Sequence, residues 1–194
     1  MTSVRHNNAS SEDAYLDAAR DNILAVGWRR TTLTDVAKRA GVSRMTIYRR
    51  WPDMQSLLAD LLVREWGGLV DGALGPAGSG TDRTAIADAV VGTVAALRNN
   101  DLFVRIIDLD PELLLPYLLE RRGRNQEHVL HLLTDAIAAG QRAGSVRDAD
   151  AAVLSRALLL ALHGFVVSPR TMADTPLEEL DAELRLLVEK FLQP

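Results

Sequence analysis

"AGVSRMTIYRRWPD", residues 40–53, sets three arginines, a tyrosine and a tryptophan in a chain whose formal net charge is −4. Its punctuation decides the local fold. Gly41 interrupts the helix-compatible run "TDVAKRA" (34–40) and supplies the positive φ that a tight turn needs. Ser43 then offers an N-cap oxygen to a further short helix running from Arg44 to about Trp51. Pro52 pushes the residue before it out of helical geometry, and Asp53 can cap the next helix. Two short helices joined by a three-residue turn cross only where the contact residues are small or apolar. Ala37, Val42 and Ile47 meet that condition, so the stretch reads as a helix-turn-helix.

Charge is segregated around the same stretch. From Trp28 to Arg50 there are seven bases (Arg29, Arg30, Lys38, Arg39, Arg44, Arg49 and Arg50) and one acid, Asp35. That is +6 in 23 residues, so the other 171 carry −10. A local cationic module on an acidic body is the electrostatic footprint of nucleic-acid binding. With Ile47 turned inward, Arg44, Met45, Thr46, Tyr48 and Arg49 are left facing out. A recognition helix presents such residues to the major groove. Arginine pairs with guanine O6 and N7, and threonine and methionine meet thymine methyls. Thr32, Thr34, Lys38 and Tyr48 suit phosphate contacts, which position without reading. Ser43, chiefly a cap, and Arg50 complete the expected DNA-facing set.

Working outward, nearly every segment repeats its apolar residues at helical spacing, and no run alternates as a half-buried strand does. Residues 1–10 read as a solvated flexible tail. Leu16, Ala19, Ile23 and Val26 then form one buried stripe of a helix from Ser11 that ends at Gly27. After Asp53, Leu57, Leu58, Leu61 and Leu62 spread over more than one helical face. "GGLVDGALGPAGSG" (67–80) holds six glycines and a proline, which predicts a loose connection. It lacks the Gly-Lys-Ser/Thr of a phosphate loop. Helices are expected at about 82–99, 101–109, 111–142, 148–167 and 176–192, with Asp110 capping the third of these ahead of Pro111. The expected division is a tail over 1–10, a DNA-binding domain over 11–57 and a helical domain over 58–194.

Other classes are disfavoured. The chain has no cysteine, which excludes disulfides and thiolate metal sites and suits a reducing cytoplasm. "MTSVRHNNAS" offers no apolar run for a signal peptide. The longest apolar stretch, Ala151 to Val167, is shorter than a membrane span and contains Arg156 and His163. His128 and His131 stand three apart beside Glu127, but no third convergent ligand completes a zinc site. No nucleophile elbow, metal-hydrolase motif or cofactor fingerprint is present, so neither an enzyme nor a cofactor is expected.

From about Ser11 to Leu62 the chain resembles the N-terminal domain of the tetracycline-repressor (TetR) family of bacterial regulators. The resemblance is carried by the helix ending at Gly27 and by "TTLTDVAKRAGVSRMTIYRRWPDMQSLL". Thr34, Val36, Ala37, Ala40, Gly41, Val42, Ser43, Ile47 and Tyr48 stand where that family's pattern expects them. Trp51 replaces the usual phenylalanine, and Met54 a lysine that would touch phosphate. Met45 stands at a small residue, and Arg49-Arg50 at a His/Tyr pair, which points to a different operator sequence. The resemblance implies an all-α protein with a three-helix DNA-binding domain, linked through a fourth helix to a ligand-binding and dimerisation domain.

Residues of that second domain can be chosen by character. Polar or aromatic side chains on apolar faces (Trp66, Phe103, Tyr117, His131, His163 and Phe165) are candidate ligand contacts, with Leu97, Ile107, Leu114 and Leu162 as walls. Leu180, Leu184, Leu187 and Phe191 share one helical face. With Leu154 and Leu158 of the preceding, almost wholly apolar helix, they are the candidates for a four-helix interface between two copies. The function expected is a dimeric repressor of a near-palindromic operator, released by a small apolar molecule. Two alternatives stay open: a helical ligand-binding protein or enzyme with a vestigial DNA module, and a constitutive DNA-binding protein without a ligand.

Overall fold

The computed structural model describes residues 3–74 and 82–194, and every regular element among them is helical. The helices are α1 (Ser3–Val26), α2 (Leu33–Arg39), α3 (Arg44–Arg50), α4 (Met54–Leu74), α5 (Arg83–Arg98), α6 (Asp101–Leu109), α7 (Leu115–Leu119), α8 (Arg124–Arg142), α9 (Ala151–Val167) and α10 (Leu177–Leu192). Short 3-10 turns follow α6 (Pro111–Leu113) and α9 (Pro169–Met172). Helix α1 thus begins at Ser3, within the stretch read from sequence as a tail.

The chain divides into two compact units, and the division differs from the expected boundary at 57/58. The first unit holds the chain up to Arg64 together with Asp101–Leu115; the second holds Glu65–Asn100 and Pro116–Pro194. Helix α6 joins the first unit because its apolar residues Leu102, Phe103 and Ile106 are buried there and it packs on α1. A sequence reading that follows the chain linearly assigns these residues to the second domain.

In the first unit, Leu16, Ala19 and Ile23 of α1 are buried as their spacing predicts, whereas Val26 is 39% exposed. Gly27 ends α1 at φ +85, and a Cβ there would stand 3.2 Å from Leu109 Cδ1. Both the backbone angle and the close approach call for glycine. Asp110 corrects its expected role. Its side chain makes no cap bond to the turn that follows; the carboxylate accepts the Trp28 backbone N–H at 2.9 Å and is 3% exposed. A buried charge persists only with such partners, and this one holds the α1–α2 loop onto the end of α6.

In the second unit, α8 packs on α9 and α5 on α10, with α5 also touching α8 and α9. The core gathers Ile86, Val90, Leu133, Ile137, Leu154, Leu158, Leu184 and Val188. Arg98 bonds Asp181 and Arg185 bonds Asp88, clamping α5 to α10 at two levels. Arg147 donates from its backbone N and its Nε to the Leu192 and Phe191 carbonyls, at 2.9 and 2.8 Å, and fixes the end of α10.

Two sequence expectations change here. Helix α4 runs through Gly67, Gly68 and Gly72 to Leu74, where the glycine content predicts a loose connection; the rest of that stretch, 75–80, lies outside the described residues. Glycine costs about 1 kcal/mol per helical position, but Val70 is buried in the core and Asp71 bonds His128 at 2.6 Å. Three glycines cost about 3 kcal/mol in all, and burying one such side chain returns about 1.5–3 kcal/mol, most of that propensity loss. The helix expected over 111–142 is broken. The 3-10 turn and α7 occupy 111–119, and α8 starts afresh after Gly123, whose N–H bonds Gln126 Oε1 at 2.8 Å. Helical periodicity passes through the break unseen; Pro116 and Gly123 were its signals.

Candidate nucleic-acid interface

The turn between α2 and α3 closes in a Schellman arrangement. Gly41 N–H bonds the Lys38 carbonyl at 3.3 Å and Val42 N–H the Ala37 carbonyl at 3.0 Å, with Gly41 at φ +68. Satisfying the last carbonyls of α2 in this way fixes the angle at which α3 leaves. Ser43 Oγ accepts the Thr46 N–H at 3.2 Å, the expected cap. Ile47 is wholly buried and Trp51 is 1% exposed, its ring edge-on to Tyr15 and its Nε1–H donating to Asp60 at 2.8 Å. With that side sealed, Arg44, Met45, Tyr48 and Arg49 are exposed and Thr46 half-buried, Met45 most plainly at 75%. Asp53 accepts the Ser56 N–H at 2.7 Å and starts α4, as expected of a cap. The bonds from Ser56 hold its carboxyl below the ordinary carboxylate value.

The fold redistributes the cationic charge that the linear count assigns to this stretch. Arg29 pairs with Glu112 and lies 3.5 Å from Asp110. Arg39 pairs with Asp21, and Arg30 Nε bonds the Val26 carbonyl. Arg50 bonds Glu12 with two donors at 2.9 and 2.7 Å, lies 3.4 Å from Asp60 and stacks 5.3 Å from the Trp51 ring centroid. Bonding to Glu12 raises the Arg50 pKa above its ordinary value. Lys38, Arg44 and Arg49 are exposed and make no ion pair among the described residues. Of the expected DNA-facing set, Arg50 is therefore engaged within the fold. The Thr32 hydroxyl is also occupied, accepting the Asp35 N–H at 3.2 Å and donating to the Asp35 carboxylate at 2.6 Å. Thr34 is half-buried on α2.

The ligand candidates do not gather at one place. Phe103, Ile107 and Leu114 belong to the first unit, where Phe103 and Leu114 are buried. In the second unit Leu162 is core and Phe165 packs against it, while Trp66 and Leu97 are half-buried. The His131 side chain is 73% exposed beside Asp135, so it lines no cavity. With His128 turned to Asp71, the two histidines face separate carboxylates. Tyr117 and His163 do come together, in an open cleft of about 520 Å³ formed by α7, α8 and α9. Arg121, Arg122, Gln126 and Arg156 also line it. In the sequence these charged and amide side chains are indistinguishable from ordinary helix surface.

The interface candidates need a similar correction. Leu154, Leu158 and Leu184 are 3%, 5% and 2% exposed and lie in the chain's own core, so they offer no face to a second copy. Leu180 and Phe191 are half-buried, and Arg147 lies over the Phe191 ring. Leu187 is 57% exposed. The apolar surface left open lies one step round each helix: Val153, Ala157, Leu160, Ala161 and Gly164 on α9, with Leu186 and Leu187 on α10.

A capped helix-turn-helix with an exposed basic second helix, followed by a further helical unit, is the architecture of a DNA-binding protein. Residues 16–61 match the family model described as bacterial regulatory proteins, tetR family. The chain is 34% identical over 168 residues, 87% of its length and 86% of the other's, to an uncharacterized HTH-type transcriptional regulator of Mycobacterium tuberculosis strain CDC 1551. The chain belongs to the TetR family of transcriptional regulators. Its fold matches that of the R. erythropolis transcriptional repressor QsdR (TM-score 0.68, 17% identity, 96% of this chain and 97% of that one). It also matches the regulator FadR from Bacillus subtilis, solved with stearoyl-CoA (TM-score 0.64, 16% identity, 93% and 98%). No helix among the described residues is long and apolar enough to cross a membrane.

Proposed function

We propose that this regulator is a homodimeric repressor that places α3 of each copy in successive major grooves of a near-palindromic operator and is released by a small molecule held in the helical unit. The observation that carries the reading is the surface of α2 and α3, where Lys38, Arg44 and Arg49 remain without acidic partners beside exposed Met45 and Tyr48. Arg44, Met45, Thr46 and Arg49 read bases; Lys38, Thr34 and Tyr48 hold phosphates. Ser43 acts as the cap that aims α3, and Thr32 and Arg50 act through the fold.

The exposed apolar faces of α9 and α10 support a second copy as partner, since an unpaired apolar face of this kind marks an interaction surface. Two-fold pairing also matches the symmetry of DNA half-sites about 34–36 Å apart. Release requires the ligand to favour the non-binding state; a hundredfold loss of operator affinity corresponds to about 2.7 kcal/mol of coupling. Helix α4, which continues from one unit into the other, is the element through which such a shift would pass.

The test is a mobility-shift and footprinting experiment on the intergenic DNA beside the protein's own gene. The expected result is a salt-sensitive shift with a protected near-palindrome. Absence of any specific protection at modest ionic strength would overturn the reading and favour a ligand-binding protein with a vestigial DNA module.

A further inference from the structure

We propose that the cleft between α7, α8 and α9 binds an amphiphile with an anionic head and a single apolar chain, rather than a neutral apolar molecule. At about 520 Å³ the cleft falls within the range of small-molecule sites, about 300–1,000 Å³. Its apolar residues are Leu118, Leu119, Leu130, Leu159 and Leu160, the last at the edge shared with the open α9 face. Its charge is uneven. Arg122 and Glu127 pair with each other at 2.5 Å, leaving Arg121 and Arg156 against the single carboxylate of Glu120. Neither arginine makes an ion pair among the described residues, and the Arg121 guanidinium lies 5.2 Å from the Tyr117 ring centroid. A planar guanidinium of this kind suits bidentate binding of a carboxylate or phosphate.

The hydrogen bonds of the cleft fix the state of His163. Gln126 Oε1 must accept, because its partner is the Gly123 N–H. Gln126 Nε2 therefore donates, to the Tyr117 carbonyl at 2.9 Å and to His163 Nε2 at 3.1 Å. Accepting at Nε2 makes His163 a neutral ring with its proton on Nδ1. Burial favours the same neutral form. The Nδ1–H has no acceptor among the described residues, so the cleft holds one further donor and no compensating negative charge at its histidine. Two guanidiniums and a ring N–H beside a leucine wall match an anionic head followed by an apolar chain.

This inference rests on reading the helical unit as the effector-binding unit. It is tested by calorimetry of the full-length protein with dodecanoate and, separately, with dodecanol, both below their aggregation concentrations. Dodecanoate is expected to bind at least tenfold more tightly than dodecanol. Arg121→Gln combined with Arg156→Gln should remove that preference while leaving dodecanol binding and the melting temperature unchanged, since both arginines are exposed. Dodecyl phosphate in place of dodecanoate separates a phosphate from a carboxylate preference. Equal binding of dodecanoate and dodecanol, no binding of either, or dodecanoate binding untouched by the double variant would each overturn the proposal. Operator affinity is measured in parallel. Binding without loss of operator affinity sinks the effector reading alone, whereas ligand-independent repression with no dodecanoate binding sinks both.

Discussion

The carboxylate of Asp110, at the end of α6, accepts the backbone N–H of Trp28, at the end of α1, across 82 positions of sequence at 2.9 Å. Arg29 closes the same junction through Glu112. Removing the acceptor leaves a half-buried N–H unpaired, and hydrogen bonds to charged groups contribute about 1.5–3 kcal/mol. Asp110→Ala is expected to lower stability by about that amount in urea unfolding. It should also weaken operator binding, because Trp28 leads directly into α2. Unchanged stability would show that the bond adds nothing beyond what water supplies.

The partition of the cations makes a second prediction. Lys38→Ala and Arg49→Ala should each flatten the salt dependence of DNA binding by about one unit of slope. Arg50→Gln should leave the slope intact, because Glu12 already holds that guanidinium. Arg44→Ala should cost about 1–3 kcal/mol on the operator and much less on random DNA. Equal losses on both DNAs would remove Arg44 from base reading.

Trp51 offers a third. Trp51→Phe keeps the buried ring but deletes the Nε1–H donor to Asp60 at 2.8 Å. A loss of about 1 kcal/mol, the net value of one hydrogen bond, is expected because Asp60 keeps its contact with Arg50, read by chemical denaturation. Trp51→Phe with Asp60→Leu should recover part of it, since removing both partners is milder than removing one.

His163 ties stability to pH. Burial lowers its pKa below the ordinary 6.5, so on acidification the unfolded chain takes up a proton before the folded one does. Stability contributed by the neutral ring is then complete above about pH 6.5 and declines as pH falls from there towards the lowered value. The unfolding free energy should therefore drop between pH 7.5 and 5.5, and part of that drop should vanish in His163→Gln, which keeps an acceptor for Gln126. An identical pH dependence in the variant would rule out His163 as its source.

The open faces of α9 and α10 make the fifth. Val153→Glu with Leu187→Glu places two charges on surface already exposed, so each monomer should fold with unchanged helicity. Sedimentation should show the native protein as a dimer and the variant as a monomer, with operator affinity reduced at least tenfold. A monomeric native protein would refute the assignment of this face.

The helix-turn-helix is legible in the amino-acid order because its information is local. Gly41, Ser43, Pro52 and Asp53 are turn and cap residues whose backbone preferences act within four positions, and Ile47 and Trp51 follow from helical period. What the order of residues could not determine was anything set by partners distant in sequence. Glu12, Asp21 and Glu112 neutralise three of the seven bases, so a linear charge count overstates the reading face. Asp110 looked like a cap because its neighbours are Pro111 and Glu112, yet burial against Trp28 decided its role. On α9 and α10, Leu154 and Leu160 are equally apolar in sequence, but one is 3% and the other 70% exposed. A helix almost uniformly apolar has no sequence-encoded inside, and only its packing against α8 and α5 chooses which face stays open.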